Sequence, residues 1–189
     1  MSALVASVAA YTVLLTLLIA CGEHLSKPAA LSTALAAHRV MPAPSAVAVV
    51  VIATEGLLGA AGVVALLRAD GGWLLGVVLA GGAALFAAYA GYGRYVRSIG
   101  RAVPCGCSRV ELPMSGWVVA RACTLAGMAL VGSVLSGAVV PLGRVGTPLT
   151  IVLLAAATFA VLLAHLPAAM HNPSPDQPPV RVGRGGVPG

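Results

Sequence analysis

The stretch SAVAVVVIATEGLLGAAGVVALL, residues 45–67, decides the fold of this chain. Its only polar side chains are Ser45, Thr54 and Glu55. A bilayer core of ~30 Å is crossed by ~20 predominantly apolar residues, at ~1.5 Å of rise per residue. The stretch is therefore predicted to be a membrane-spanning helix.

Two features of this helix are predicted to face other helices. An ionisable group deep in a span is costly, so buried carboxylates usually lie inside the bundle, paired or neutral, and Glu55 is in such a position. Gly56, Gly59 and Gly62 form a stripe of small residues, which lets a second helix approach closely. The stretch thus predicts a helix contact and a buried polar site.

The whole chain has the composition of a membrane protein. Of its 189 residues, 59% are hydrophobic and 8% charged, with a mean hydropathy of +1.00, whereas soluble domains average ~25% charged residues. The net charge of +6 comes from scattered basic residues, which excludes the basic stripe typical of nucleic-acid binding. We predict an all-α fold of about five transmembrane helices with a four-helix bundle core; the other four spans are 3–22, 73–92, 116–135 and 148–166.

Polar segments complete the predicted organisation. Residues 23–44 carry apolar side chains at roughly helical spacing beside basic ones, which favours a short surface helix over a polar loop. Residues 169–189 are rich in proline and glycine, as is typical of a disordered tail. We predict a helical bundle over residues 1–168, followed by that tail.

Aromatic and histidine side chains near the span ends are typical of the membrane interface. Tyr89, Tyr92 and Tyr95 alternate with arginines at the end of the third span, the usual pattern of interface anchors. His24 and His38 are likewise predicted to be interfacial residues rather than metal ligands.

The motif with the clearest chemistry is Cys105-Gly106-Cys107, between the third and fourth spans. Thiol reactions need the thiolate, which positive charge favours, and Arg101 and Arg109 flank the pair. A disulfide between the two cysteines would close a small ring, so it is predicted to be strained and easily exchanged. Two other interpretations stay open: the cysteines are inert, or they bind a soft metal such as Cu(I). A zinc site is less favoured, because no further Cys or His has the spacing of zinc ligands.

Alternating span directions bring the candidate residues to one end of the bundle. Arg121 then lies ~9 Å and Glu55 ~15 Å from that end, a difference that an arginine side chain can bridge. We therefore predict an ion pair between them within the membrane. Cys21, at the same end, and Cys123, ~12 Å deep, are candidates for resolving the disulfide; otherwise Cys21 is a small residue at a helix end and Cys123 a small buried side chain.

This combination resembles the MauE family of methylamine utilisation membrane proteins. The resemblance covers residues 14–131 and rests on Cys105-Gly106-Cys107, Arg121 in the following span, Glu55, and residues 22–27. It implies a small helical bundle similar in layout to the DoxX and vitamin K epoxide reductase groups. It also implies a role in maturing the disulfide-rich small subunit of methylamine dehydrogenase, together with a thioredoxin-like partner.

The chain departs from the family pattern at three positions. Ser108 and Arg109 stand where the family usually has Phe and Gly, and Ala122 stands where it usually has Asn. These departures concern the substrate more than the fold.

We predict an integral membrane thiol-disulfide redox protein, with Cys105 and Cys107 as its catalytic residues. As an enzyme it would be a thiol-disulfide oxidoreductase, and its partner a thioredoxin-like protein or a maturing client that contains disulfides. Glu55 and Arg121 would stabilise the bundle or orient a bound quinone, the one cofactor that the sequence leads us to consider. The alternatives are a soft-metal (copper or mercury) binding or transport protein and a non-catalytic assembly subunit. The supporting residues are Arg101, Arg109, Glu55 and Arg121.

Two arguments disagree about which side of the membrane carries the cysteine pair. Most basic residues outside the spans lie on its side, and the positive-inside rule then places the pair in the cytoplasm. The role implied by the resemblance needs a dithiol outside the cytoplasm, where disulfides persist. Because arginines beside a thiolate have a second use, we predict an extracytoplasmic cysteine loop in a multi-pass protein of the cell membrane.

Overall fold

The computed structural model describes residues 2–68, 72–99 and 115–170, and every regular element within these ranges is helical. Five helices are long and apolar enough to cross a membrane. In chain order the helices are α1 (Ser2–Ser26), α2 (Pro28–His38), α3 (Pro44–Arg68), α4 (Trp73–Ser98), α5 (Gly116–Val134) and α6 (Thr147–Ala169). The predicted all-α fold, with five spans and a short helix between the first two, is confirmed.

Helix α4 is longer than predicted. Its hydropathy falls after residue 92, where Arg94 and Arg97 appear, but the helix continues to Ser98. Loss of hydropathy marks where a helix leaves the apolar layer, not where its backbone hydrogen bonds end. The tyrosine and arginine segment is therefore helical, which fixes the directions of Tyr89 and Tyr92.

Helix α1 lies at the centre of the bundle. It packs against α3, α5 and α6. In its most apolar 18-residue stretch, 56% is buried, against 22% in the corresponding stretches of α3 and α6. Its fully buried side chains include Ala10, Val13 and Leu17. The other spans therefore surround α1 and present most of their remaining apolar surface outward.

The glycine stripe of α3 is the surface on which α1 packs. A Cβ added at Gly56 would lie 3.2 Å from the Cys21 sulfur, and one at Gly59 would lie 2.7 Å from Leu18 Cδ2. A Cβ at Gly62 would overlap the side chain of Leu14. The close helix contact predicted from these glycines is confirmed, and its partner is α1.

The end of the bundle that holds the α3–α4 and α5–α6 connections is closed by backbone contacts. The Tyr11 hydroxyl donates to the carbonyl of Val140 at 2.9 Å, and the Val140 N–H donates to Ser7 Oγ at 2.9 Å. Gly72 has a φ of 84°, and a Cβ there would lie 2.7 Å from the backbone of residues 136–137. Only glycine fits at that position.

Several predicted features lie outside the described residues. They are Arg101, Cys105, Cys107 and Arg109, together with nearly all of the predicted C-terminal tail. Helix α6 ends at Ala169, next to the predicted end of the bundle at residue 168.

The packing of α1 on α3 predicts that Gly62→Val destabilises the protein. Leu14 is 3% exposed and has no free space to move into, so the added side chain should lower the free energy of unfolding by about 1–3 kcal/mol. Denaturant unfolding in detergent micelles, followed by circular dichroism, measures this change. Gly127→Val is the matched control, because a Cβ at Gly127 meets nothing within 4 Å; equal losses in the two variants would contradict the assigned contact.

Candidate functional site

A cavity of about 280 Å³ lies inside the bundle, at the end where α1 finishes and α3 begins. Helices α1 to α5 all contribute to its walls. Its lining is mostly aliphatic and aromatic, and the seven lining residues with larger polar groups are Thr16, His24, His38, Glu55, Tyr89, Tyr92 and Arg121. The cavity is therefore an apolar chamber with a few polar groups directed into it.

Glu55 provides the buried acid of this chamber. Its side chain is 2% exposed, and the Tyr89 hydroxyl donates a hydrogen bond to Oε1 at 2.8 Å. The second oxygen, Oε2, lies 3.8 Å from His24 Nε2. Glu55, Gly59 and Gly62 are all buried and lie on one face of α3, so the contact with α1 also turns the carboxyl inward.

A second polar pair joins α2 to α4. His38 Nδ1 and the Tyr92 hydroxyl are 2.7 Å apart, and His38 is 2% exposed. Leu31 and Leu35 of the same helix pack with Ala48 of α3. Helix α2 is therefore a wall of the cavity rather than only a helix on the membrane surface.

The predicted direct ion pair between Glu55 and Arg121 is not formed. Among the described residues, the basic group within 4 Å of the Glu55 carboxyl is His24, and the hydrogen bond to it comes from Tyr89. Arg121 does line the same cavity and acts electrostatically on the carboxyl. The prediction was wrong because it used depth alone: α3 packs on α1, α2 and α4, whereas α5 packs on α1, α4 and α6, so the two side chains face each other across the chamber.

The two described cysteines do not line the cavity. Cys21 packs at the contact of α1 with α3, where its sulfur lies 3.8 Å from the Ile52 carbonyl oxygen. Cys123 is exposed on α5, so it is not the small buried side chain that one interpretation predicted. Both are free thiols. Their predicted part in resolving a disulfide stays a prediction, because Cys105 and Cys107 lie outside the described residues.

The cavity lies at the same end of the bundle as the ends of α4 and α5 that border residues 100–114. The lining residues of α4 come from its C-terminal half, from Leu85 to Tyr92. Those of α5 come from its N-terminal half, from Val118 to Leu125. The chain that carries the cysteine pair is thus attached beside the polar chamber.

Sequence reasoning assigned four of the cavity residues to the membrane interface. Tyr89, Tyr92, His24 and His38 instead form polar contacts inside the bundle, while Tyr95 is 55% exposed, as an anchor should be. One signal could have found His24: Thr16, Ala20 and His24 lie at i, i+4 and i+8 on one face of α1. The described ranges contain no group of three or more His, Cys, Asp or Glu side chains able to hold a metal ion.

Comparison with known proteins identifies a family. The family model described as methylamine utilisation protein MauE matches residues 1–135 of this chain. The match includes α1 to α5, hence every helix that lines the cavity, and also the Cys105-Gly106-Cys107 motif. No curated protein and no solved structure matches the chain.

The hydrogen bond between Tyr89 and Glu55 predicts that Tyr89→Phe is destabilising. The change leaves a buried carboxyl oxygen without its donor, which should lower the free energy of unfolding by about 1–3 kcal/mol. Thermal and denaturant unfolding in micelles would show the loss. Tyr95→Phe, at an exposed position of the same helix, should have no measurable effect; if the two variants behaved alike, the buried bond would not be stabilising.

Proposed function

This chain belongs to the MauE family of methylamine utilisation proteins, and on that premise we propose that it is a membrane thiol-disulfide redox protein. In this role it assists disulfide formation in an extracytoplasmic client, alone or with a thioredoxin-like protein. The five apolar spans support a multi-pass protein of the cell membrane. Because the family is one of methylamine utilisation, the proposed client is a protein of the methylamine dehydrogenase type.

The observation that carries the proposal is Cys105-Gly106-Cys107 within the matched region. The pair stands in the segment that joins α4 to α5, and both helices border the cavity at that end. Arg101 and Arg109 flank the cysteines and favour the thiolate. These features support a dithiol at the polar end of the bundle.

The proposed reaction is a thiol-disulfide exchange. A client thiolate attacks one sulfur of the Cys105–Cys107 disulfide and forms a mixed disulfide, and the second client thiolate then displaces it. The client is oxidised by two electrons, and the Cys105–Cys107 disulfide is reduced to two thiols, which take up the two protons. Client and membrane protein thus exchange one disulfide for one dithiol.

The proposed placement of the cysteine pair is outside the cytoplasm. Disulfides formed there persist, whereas cytosolic thiol reductants would reverse them. The excess of arginine near the pair would normally favour the cytoplasm, but a role beside thiolates gives those charges another use. The proposed extracytoplasmic client is the reason for the outward placement.

Replacing one cysteine of the pair is expected to trap the partner. With Cys105→Ser or Cys107→Ser, the remaining thiolate can still attack the disulfide of an oxidised partner, but the second cysteine that would displace that partner from the mixed disulfide is absent, so at least one variant should accumulate a partner adduct that a reductant removes. Non-reducing electrophoresis of membranes detects it. Cys123→Ser is the control, since Cys123 is exposed and lies away from the cavity. Normal client oxidation in cells with the double Cys105→Ser, Cys107→Ser variant would refute the redox function.

The outward placement is tested by labelling intact cells with a membrane-impermeant maleimide. In a chain with Cys21 and Cys123 replaced by serine, Cys105 and Cys107 should react before lysis, after mild reduction of their disulfide. A cytoplasmic protein with a surface thiol serves as the control for leakage. Labelling of the pair only after lysis would place it in the cytoplasm.

A further inference from the structure

The Glu55 carboxyl has one satisfied oxygen and one that is not. Tyr89 donates to Oε1, whereas Oε2 is buried and receives no hydrogen bond from any residue that the structure describes. His24 Nε2, at 3.8 Å, is beyond hydrogen-bond distance. Buried polar atoms in proteins nearly always have a partner. An unpaired oxygen on a side chain that lines a chamber therefore indicates a ligand that donates a hydrogen bond.

The chamber limits what that ligand can be. It lies within membrane-spanning helices, has a volume of about 280 Å³, and its walls are mostly apolar. Phe86 and Tyr89 present an edge-to-face pair with ring centroids 6.0 Å apart, which suits a further aromatic ring. The fitting molecule has an apolar body, an aromatic ring and a hydroxyl head.

We propose that this cavity binds a lipid-soluble quinol, with one ring hydroxyl donating to Glu55 Oε2. The choice of a quinol among hydroxylated aromatic lipids rests on the proposed function. A dithiol that closes to a disulfide releases two electrons and two protons, and a quinone takes up both to become the quinol. The quinone is thus the acceptor class that would regenerate the disulfide from within the membrane.

The hydrogen bonding of Glu55 should make the site distinguish the quinol from the quinone. In Glu55→Gln the Tyr89 hydroxyl still needs an acceptor, so the amide oxygen takes the place of Oε1. The amide NH₂ group then replaces Oε2 and donates into the cavity. A quinol hydroxyl loses its acceptor, whereas a quinone carbonyl gains a donor. The substitution should therefore reverse the preference of the site.

Equilibrium binding of a decyl-substituted benzoquinol and of the matching benzoquinone tests this. The full-length chain in micelles carries Cys105→Ser and Cys107→Ser, so thiol exchange cannot contribute. We expect saturable quinol binding that Glu55→Gln weakens at least tenfold, while quinone binding is unchanged or stronger. Absence of saturable quinol binding would overturn the inference and leave the thiol function standing. An equal effect of Glu55→Gln on both forms would also overturn it.

A second pair of variants tests whether the ligand binds in this cavity. Ala20 lines the cavity, so Ala20→Phe should occupy the space and abolish binding of both forms. Ala53→Phe is the matched control, at an exposed position of α3 outside the lining, and should bind as the parent chain does. Retained binding in Ala20→Phe would show that the quinol binds elsewhere.

Discussion

The structure depends on the close contact between α1 and the glycine face of α3. Without side chains at Gly59 and Gly62, Leu14 and Leu18 of α1 can approach the backbone of α3. That contact sets the rotation of α3 about its own axis, and Glu55, on the same buried face, must then point into the bundle. The cost of burying the carboxyl is offset by the Tyr89 hydroxyl, which satisfies one of its oxygens.

The two ends of the bundle differ as a consequence. At one end, hydrogen bonds between the Tyr11 and Ser7 side chains and the backbone of Val140, together with the left-handed Gly72, close the helices against each other. At the other end, α2 packs Leu31 and Leu35 on α3 and reaches α4 through the contact of His38 with Tyr92, and a chamber lies between these helices and α1 and α5. The helices are therefore closely packed at the first end, and a cavity separates them at the second, where the polar side chains converge.

The cysteine pair stands in the sequence between two helix ends at the open end of the bundle. The end of α4 and the start of α5, between which the sequence has the pair, both border the chamber that holds Glu55. In the proposed function the pair and the chamber have separate roles. The cysteines exchange disulfides with a client in water, and the chamber binds a membrane-soluble quinol, the form that a quinone takes once it has accepted two electrons and two protons.

The sequence by itself determined the five spans, the short helix between the first two, the glycine contact and the family. Each of these depends on local composition and spacing, which the chain carries whatever its neighbours are. Only the tertiary structure decided the partners of Glu55, because helix order and rotation depend on packing between segments far apart in the chain. Depth along a helix predicted Arg121 as the partner of Glu55, whereas in the packed bundle its neighbours are Tyr89 and His24. A hydrogen bond requires direction as well as depth, and direction exists only once the helices have packed together.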